Sequence, residues 1–283
     1  VISPAWRPLR GIDPGRLREA RLEAHRAVQW LARAARAFVP PQPDDSHTNL
    51  GWDDALDGFV THPLKGDLRL GLRIAELTLL LPDPVGAVQT FALAGRTDAD
   101  ARRWLGERLA AHRLDARVLD AKPPYDIPAH ALARGGAHGD GALADALAEL
   151  AAWFANAHAA LGRVRDQMAA RGLAPSPVRC WPHHFDIATS TVLEAGSAEH
   201  ARSVNAGLSP GDEHYAEPYF YVSPHPYPDP AKLPPLPAFG HWHVQGFTAA
   251  IAPASRIVAT ADHQAAVHTF LNEAVAAAIN ALG

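Results

Sequence analysis

The chain has 283 residues, 48% of them hydrophobic and 20% charged, and a formal net charge of −4. That length exceeds a typical single-core domain, and the composition can bury a sizeable core, which excludes a disordered chain. The charge balance leaves no footprint for nucleic acid, no apolar run approaches the roughly 20 residues of a membrane helix, and the lone Cys180 excludes both an intramolecular disulfide and a two-cysteine zinc motif.

The first predicted element is a helix over 14–39. Leu17, Arg21, Ala24, Val28, Leu31, Ala35 and Phe38 recur at three-to-four spacing, and Pro40-Pro41 ends the run. Residues 67–81 read as extended, because Leu68, Leu70, Leu72 and Ile74 alternate with Arg69, Gly71, Arg73 and Ala75. A turn over 82–86 leads to a short strand over 88–93. Thr97 and Asp100 spell a capping box that opens a helix through Trp104, Leu105 and Leu109. Residues 116–119 read as a third strand. Three prolines and four glycines make 122–141 a connector.

A second long helix comes next, with Leu143, Leu147, Leu150, Phe154, Leu161 and Met168 on one side. Residues 181–191, 218–223 and 244–251 read as extended. The closing helix, about 261–282, buries Val267, Phe270, Leu271, Val275, Ala278 and Ile279. Both halves thus share an order of helix, strands, helix. His47-Thr48-Asn49-Leu50-Gly51 aligns with His184-Phe185-Asp186-Ile187-Ala188, which suggests an internal duplication, against a reading as two unrelated halves. The expectation is an α+β protein: an N-terminal half over 1–121, a connector over 122–141, and a C-terminal half over 142–283, packed into one globule.

Seven of the sixteen histidines lie between residues 183 and 243. If 183–189 is a strand, His184 and Asp186 share one face and His183 joins Phe185 on the other. By the same parity His241, His243 and Gln245 share a face, as do Tyr219, Tyr221 and Ser223. Should these faces align, His184, Asp186, His241 and His243 make a ligand set suited to zinc or iron(II). The bland counterpart is an aspartate orienting a histidine without metal, since chance supplies about one to two His-x-acid spellings in a chain of this composition. Glu213 and His214 project from the Ser209-Pro210-Gly211-Asp212 turn. Arg256 is either a fork for a substrate carboxylate or a surface ion pair. His47 and Asn49 are the first-half counterparts of the second-half pair.

At these residues the chain resembles a family of uncharacterised bacterial proteins. The resembling strings are His47-Thr48-Asn49-Leu50-Gly51-Trp52, Trp181-Pro182-His183-His184-Phe185-Asp186, Ser209-Pro210-Gly211-Asp212, Glu217-Pro218-Tyr219-Phe220-Tyr221-Val222 and His241-Trp242-His243, which span about 45–260. The resemblance implies membership and brings no activity with it.

The functional expectation is a small-molecule enzyme with its pocket in the C-terminal half. His184, Asp186 and His243, with His241 as the alternative, hold the metal; Tyr219 or Tyr221 orients substrate or acts as acid; Glu213 is the general base; Arg256 and His214 bind substrate. The rival is a non-catalytic ligand-binding or interaction protein whose histidines are framework. The partner is a small molecule, with no nucleic acid and no membrane. The oligomeric state has no signature in the sequence. The N-terminal stretch lacks the charged-then-apolar profile of a secretory signal, which makes the cytoplasm the expected compartment.

Overall fold

Asp13 starts the first helix, α1 (Pro14–Phe38), by accepting hydrogen bonds from the amides of Gly15 and Arg16, while Pro14 fills a first-turn position where no amide is needed. The structure is a computed structural model and describes residues 5–139, 141–194, 201–236 and 239–283. The chain is α+β, and it divides into two compact units. One comprises residues 12–151 and 180–185, the other 1–11, 152–179 and 186–283. The division therefore falls inside a helix at 151/152, not after a connector ending at 141.

In the first unit, β1 (Gly51–Asp53), β2 (Gly58–Val60), β3 (Gly71–Arg73), β4 (Thr78–Pro82) and β5 (Val88–Ala92) form an antiparallel meander in chain order. The stretch expected to run extended over 67–81 is a hairpin instead. A four-residue turn over 74–77 interrupts it, with Leu77 at φ +42°, and the alternating leucines continue on both sides. α2 (Asp98–Ala111) opens with the expected capping box: Thr97 Oγ1 accepts from the Asp100 amide at 3.2 Å, and the Thr97 amide donates to Asp100 Oδ2 at 3.0 Å. Residues Ala116–Asp120 form a 3-10 turn, not a strand, because the Asp115 carboxylate caps the Arg117 amide and curls the backbone. α1 packs on β3, and Leu31, Phe59, Leu70, Leu72, Ile74 and Leu79 are fully buried.

α3 (Ala144–Ala170) carries the chain into the second unit. Beyond it come β6 (Ala174–Pro175), β7 (Arg179–Trp181), β8 (Asp186–Glu194), β9 (Arg202–Ser209), β10 (Tyr219–His225), β11 (His241–His243), β12 (Ala249–Pro253), α4 (Ala254–Val258) and α5 (His263–Leu282). The strands lie in the order β11-β12-β10-β9-β8-β6. One face of this sheet presents Ile187, Leu208, Phe220, Val222, Ala250 and Ala252, all fully buried. α5 packs on β9, β10 and β12 and buries Val267, Phe270, Leu271, Val275 and Ala278 of the expected stripe, with Ile279 only half-buried, and Trp153 lies 6.3 Å from Phe220, ring to ring. The opposite face is mixed: Tyr219, Ala249 and Ile251 are buried there with Tyr215, Tyr221 and Phe247 packed against them, beside half-buried Asp186, Ser223, His241 and His243.

Both units run helix, antiparallel strands, helix. Their sheets differ in strand number and in strand length, so the shared order is all that supports a duplication. Among the described residues, no helix is long and apolar enough to cross a membrane.

Candidate functional site

The register of the larger sheet decides which side chains meet on its mixed face. His241 stands opposite Ile251, Ile251 opposite Tyr221, and Tyr221 opposite Gly207. In the next row Tyr219 stands between Pro253 and Ser209. Strand alternation brings His243, Ser223 and Asp186 to this same face. The parity expected for Tyr219, Tyr221 and Ser223, and for His241 with His243, is therefore the parity of the strands. Gln245 lies beyond β11 and contributes its backbone carbonyl.

Three tyrosines define the face, and each hydroxyl is held. Tyr221 donates to Asp186 Oδ2 at 2.5 Å. Its ring crosses β9 where Gly207 has no side chain; a Cβ there would sit 2.5 Å from the ring. Tyr219 donates to Asp212 Oδ2 at 2.5 Å. Burial, with the neighbouring Asp212 carboxylate next in weight, raises the Tyr219 pKa far above the ordinary phenol range. Tyr215 lies between the two histidines of β11, its hydroxyl 3.0 Å from His241 Nε2 and 3.0 Å from His243 Nδ1. Burial, then Asp212, raises the Tyr215 pKa as well.

Tyr215 is the residue that sequence reasoning missed, and Asp212 is what places it. Gly211, at φ +105°, turns the chain after β9. The Asp212 carboxylate then accepts from the amides of His214 at 2.8 Å and Tyr215 at 2.9 Å, and the Asp212 amide donates to the Tyr215 carbonyl at 2.8 Å. The only signal in the sequence is an aspartate with an aromatic three residues later, after a Pro-Gly turn.

Proton positions are set by the partners. His243 Nε2 faces the Gln245 carbonyl oxygen at 2.7 Å, an atom that only accepts, so this nitrogen carries the hydrogen. In the neutral ring Nδ1 then accepts from the Tyr215 hydroxyl. Having donated its one proton, the Tyr215 oxygen accepts from His241 Nε2–H. His241 Nδ1 is left as a bare lone pair, buried and without a hydrogen-bond partner. Burial, aided by Arg256 and His243, lowers the His241 pKa, which keeps the ring neutral at pH 7. The result is a directed chain: His241, Tyr215, His243, Gln245 carbonyl. His243 also stacks on Phe247 at 4.2 Å, and His214 meets both rings edge-on.

The expected metal set is not assembled. His183 and His184 sit in a four-residue turn over 182–185, closed by Phe185 at φ +61°, so they are not on a strand and His184 does not share a strand face with Asp186. His184 is exposed, its ring 4.3 Å from that of His183, and it belongs to the first unit. Asp186 on β8 and His241 and His243 on β11 are four strands apart, about 19 Å at the ordinary strand spacing, whereas two ligands of one ion lie about 4 Å or less apart. Among the described residues no three His, Cys, Asp or Glu side chains are grouped to hold an ion. Glu213 is exposed, its side chain 89% accessible, and touches only His214 at 3.7 Å, which is no setting for a desolvated general base. Arg256 is exposed on α4, close enough to act on His241.

His47 and Asn49 are buried in the first unit and form no counterpart of this cluster. His47 Nδ1 accepts from the Gln42 amide at 3.1 Å, and Asn49 Oδ1 is 2.9 Å from His62 Nε2. The two motif strings do meet: Leu50 and Cys180 exchange backbone hydrogen bonds at 2.9 Å.

No family model, no curated protein and no solved structure matches this chain. Its functional reading therefore rests on the geometry.

Proposed function

We propose that this chain binds a small polar molecule on the tyrosine–histidine face of the larger sheet, without a metal, and that the His241–Tyr215–His243 chain is the part of that face able to do chemistry. His241 takes a hydrogen bond or a proton at Nδ1, and Tyr215 and His243 fix its tautomer from behind. Arg256 holds an acidic group of the same ligand. The observation that carries this reading is the bare Nδ1 of His241. A buried acceptor without a partner costs about 1–3 kcal/mol, and such atoms are the exception in folded proteins unless a ligand, ion or water meets them. The other polar tips of the relay, on Tyr215 and His243, already have partners.

The test is nitrogen NMR of histidine-labelled protein, first alone and then across a screen of small polar compounds. His241 should show Nε2–H with a bare Nδ1. A compound that binds should move that Nδ1 resonance, and Tyr215→Phe should weaken its binding. A His241 protonated at Nδ1 in the free protein, or binders that leave its signals unmoved, would refute the reading.

A further inference from the structure

The first unit holds a polar pocket separate from the tyrosine–histidine face. Its volume is about 210 Å³, and it is lined by Arg26, Gln29, Trp30 and Arg33 of α1, by Asp98 at the start of α2, and by the 122–127 segment with Lys122 and Tyr125. One wall is rigid. Tyr125 donates to Gln29 Oε1 at 3.0 Å, while Gln29 Nε2 donates to the carbonyls of Pro182 at 2.8 Å and His25 at 3.2 Å. Both hydrogens of the Gln29 amide are thereby committed within the fold.

The charged groups are in the opposite condition. The Arg33 guanidinium sits 5.1 Å above the Trp30 ring and makes one long bond, 3.3 Å, to the Leu119 carbonyl. Its Nε–H is buried with no acceptor. Asp98 receives one hydrogen bond, from Arg26 Nε at 3.3 Å, and its other oxygen is buried with no donor. Arg33 and Asp98 form no ion pair with each other, although Asp98 is near enough to raise the Arg33 pKa against the lowering by burial. One pocket thus holds a cationic donor with no acceptor and, on a carboxylate whose other oxygen pairs with Arg26, an acceptor with no donor. Such groups destabilise a fold unless something meets them.

A ligand that satisfies both must present an acceptor and a donor of opposite charge a short distance apart. We infer that the pocket takes a small zwitterion of the amino-acid class, its carboxylate on Arg33 and its ammonium on Asp98. The cavity, about 210 Å³, has room for a ligand of several heavy atoms, as a small amino acid is. Arg26 stays on the Asp98 side at 3.3 Å, Lys122 and Asp126 pair with each other at 3.7 Å on the 122–127 wall, and the Trp30 and Tyr125 rings supply apolar wall.

The experiment is calorimetric titration of the full chain with each of the twenty L-amino acids, with acetate and methylamine as single-charge probes. Binding by at least one amino acid is expected, with neither acetate nor methylamine matching it. Arg33→Gln and Asp98→Asn should each weaken that binding tenfold or more. A reading on unaltered protein guards against variants that do not fold: the bound amino acid should shift the Trp30 indole and Tyr125 ring resonances. The inference fails if no amino acid binds, if acetate or methylamine binds as well as the best of them, if either folded variant binds unchanged, or if binding leaves Trp30 and Tyr125 unmoved.

Discussion

Asp212 organises the loop that carries Tyr215, so its removal tests the architecture of the candidate site directly. In Asp212→Ala the amides of His214 and Tyr215 lose a charged acceptor, and the Tyr219 hydroxyl, on a side chain only 5% exposed, loses the carboxylate it donates to. A hydrogen bond to a charged group contributes about 1.5–3 kcal/mol, and one that water can replace contributes less. Both amides lie in a loop that water reaches, so the expected loss is about 2–4 kcal/mol, dominated by Tyr219. Asp212→Asn keeps an acceptor for the two amides and an NH₂ that the tyrosine oxygen can accept from, so it should lose less than half as much. Urea denaturation of Asp212→Ala, Tyr219→Phe and the double variant isolates the pair, with a coupling of about 1–2 kcal/mol expected. Additive single effects, or an Asp212→Ala variant within about 0.5 kcal/mol of the parent, would show that the carboxylate does not hold this loop.

Three other measurements probe the same physics elsewhere in the chain. His25 is buried, donates from Nε2 to the Pro182 carbonyl and has a pKa lowered to about 4 by burial. The unfolded chain therefore binds the extra proton between about pH 6.5 and 4, and stability should fall by about 3 kcal/mol as the pH drops through that window; His25→Gln should flatten the dependence, and an unchanged profile would refute it. Gly207→Ala puts a methyl group 2.5 Å from the Tyr221 ring and should cost about 1–3 kcal/mol in thermal or urea unfolding, with the cost relieved in a Tyr221→Ala background. Asp100, held at a pKa of about 2 by the Thr97 backbone and hydroxyl and then by Arg103, supports α2 above the ordinary carboxylate range. That support should vanish as the pH falls through about 2, and Asp100→Asn should remove this part of the acid transition.

The long helices and the tyrosine parity were legible because each rests on a periodicity that tertiary contacts leave intact. α5 buries the stripe its spacing predicts from Val267 to Ala278, and β10 sorts Tyr219 and Tyr221 from Phe220 and Val222. What misled was the same kind of turn, twice. The turns over 54–57, 74–77 and 182–185 each span four residues and end on a residue at positive φ: Asp57, Leu77 and Phe185. Only the first carries the expected chemistry, an aspartate before a glycine. Leu77 and Phe185 are large apolar side chains in a backbone region that disfavours them, and both are buried, Phe185 stacked on His25 at 5.2 Å and edge-on to Phe59 at 6.2 Å. Burial chooses the left-handed conformation there, and no local pattern announces it. The period-two reading ran straight through both turns, which fused β3 with β4 and lifted His184 onto a strand beside Asp186.

Strand order was the deeper omission. Parity tells which residues share a face and says nothing about how many strands lie between them, so a face common to β8 and β11 was read as a shared site. Two strands in between, β9 and β10, present small residues and tyrosines on that face, and a third, β12, presents Ala249, Ile251 and Pro253. The breadth of that platform separates the imidazoles from Asp186, and it is also what leaves room for Tyr221 to lie across Gly207. The same geometry that keeps Asp186 apart from the two imidazoles builds an aromatic surface with a carboxylate at one end and a histidine relay at the other. A ligand reaching from Asp186 to His241 would have to span most of the sheet, so the proposed small molecule belongs at the relay end, where Arg256 acts on His241 and Nδ1 of that ring lacks a partner.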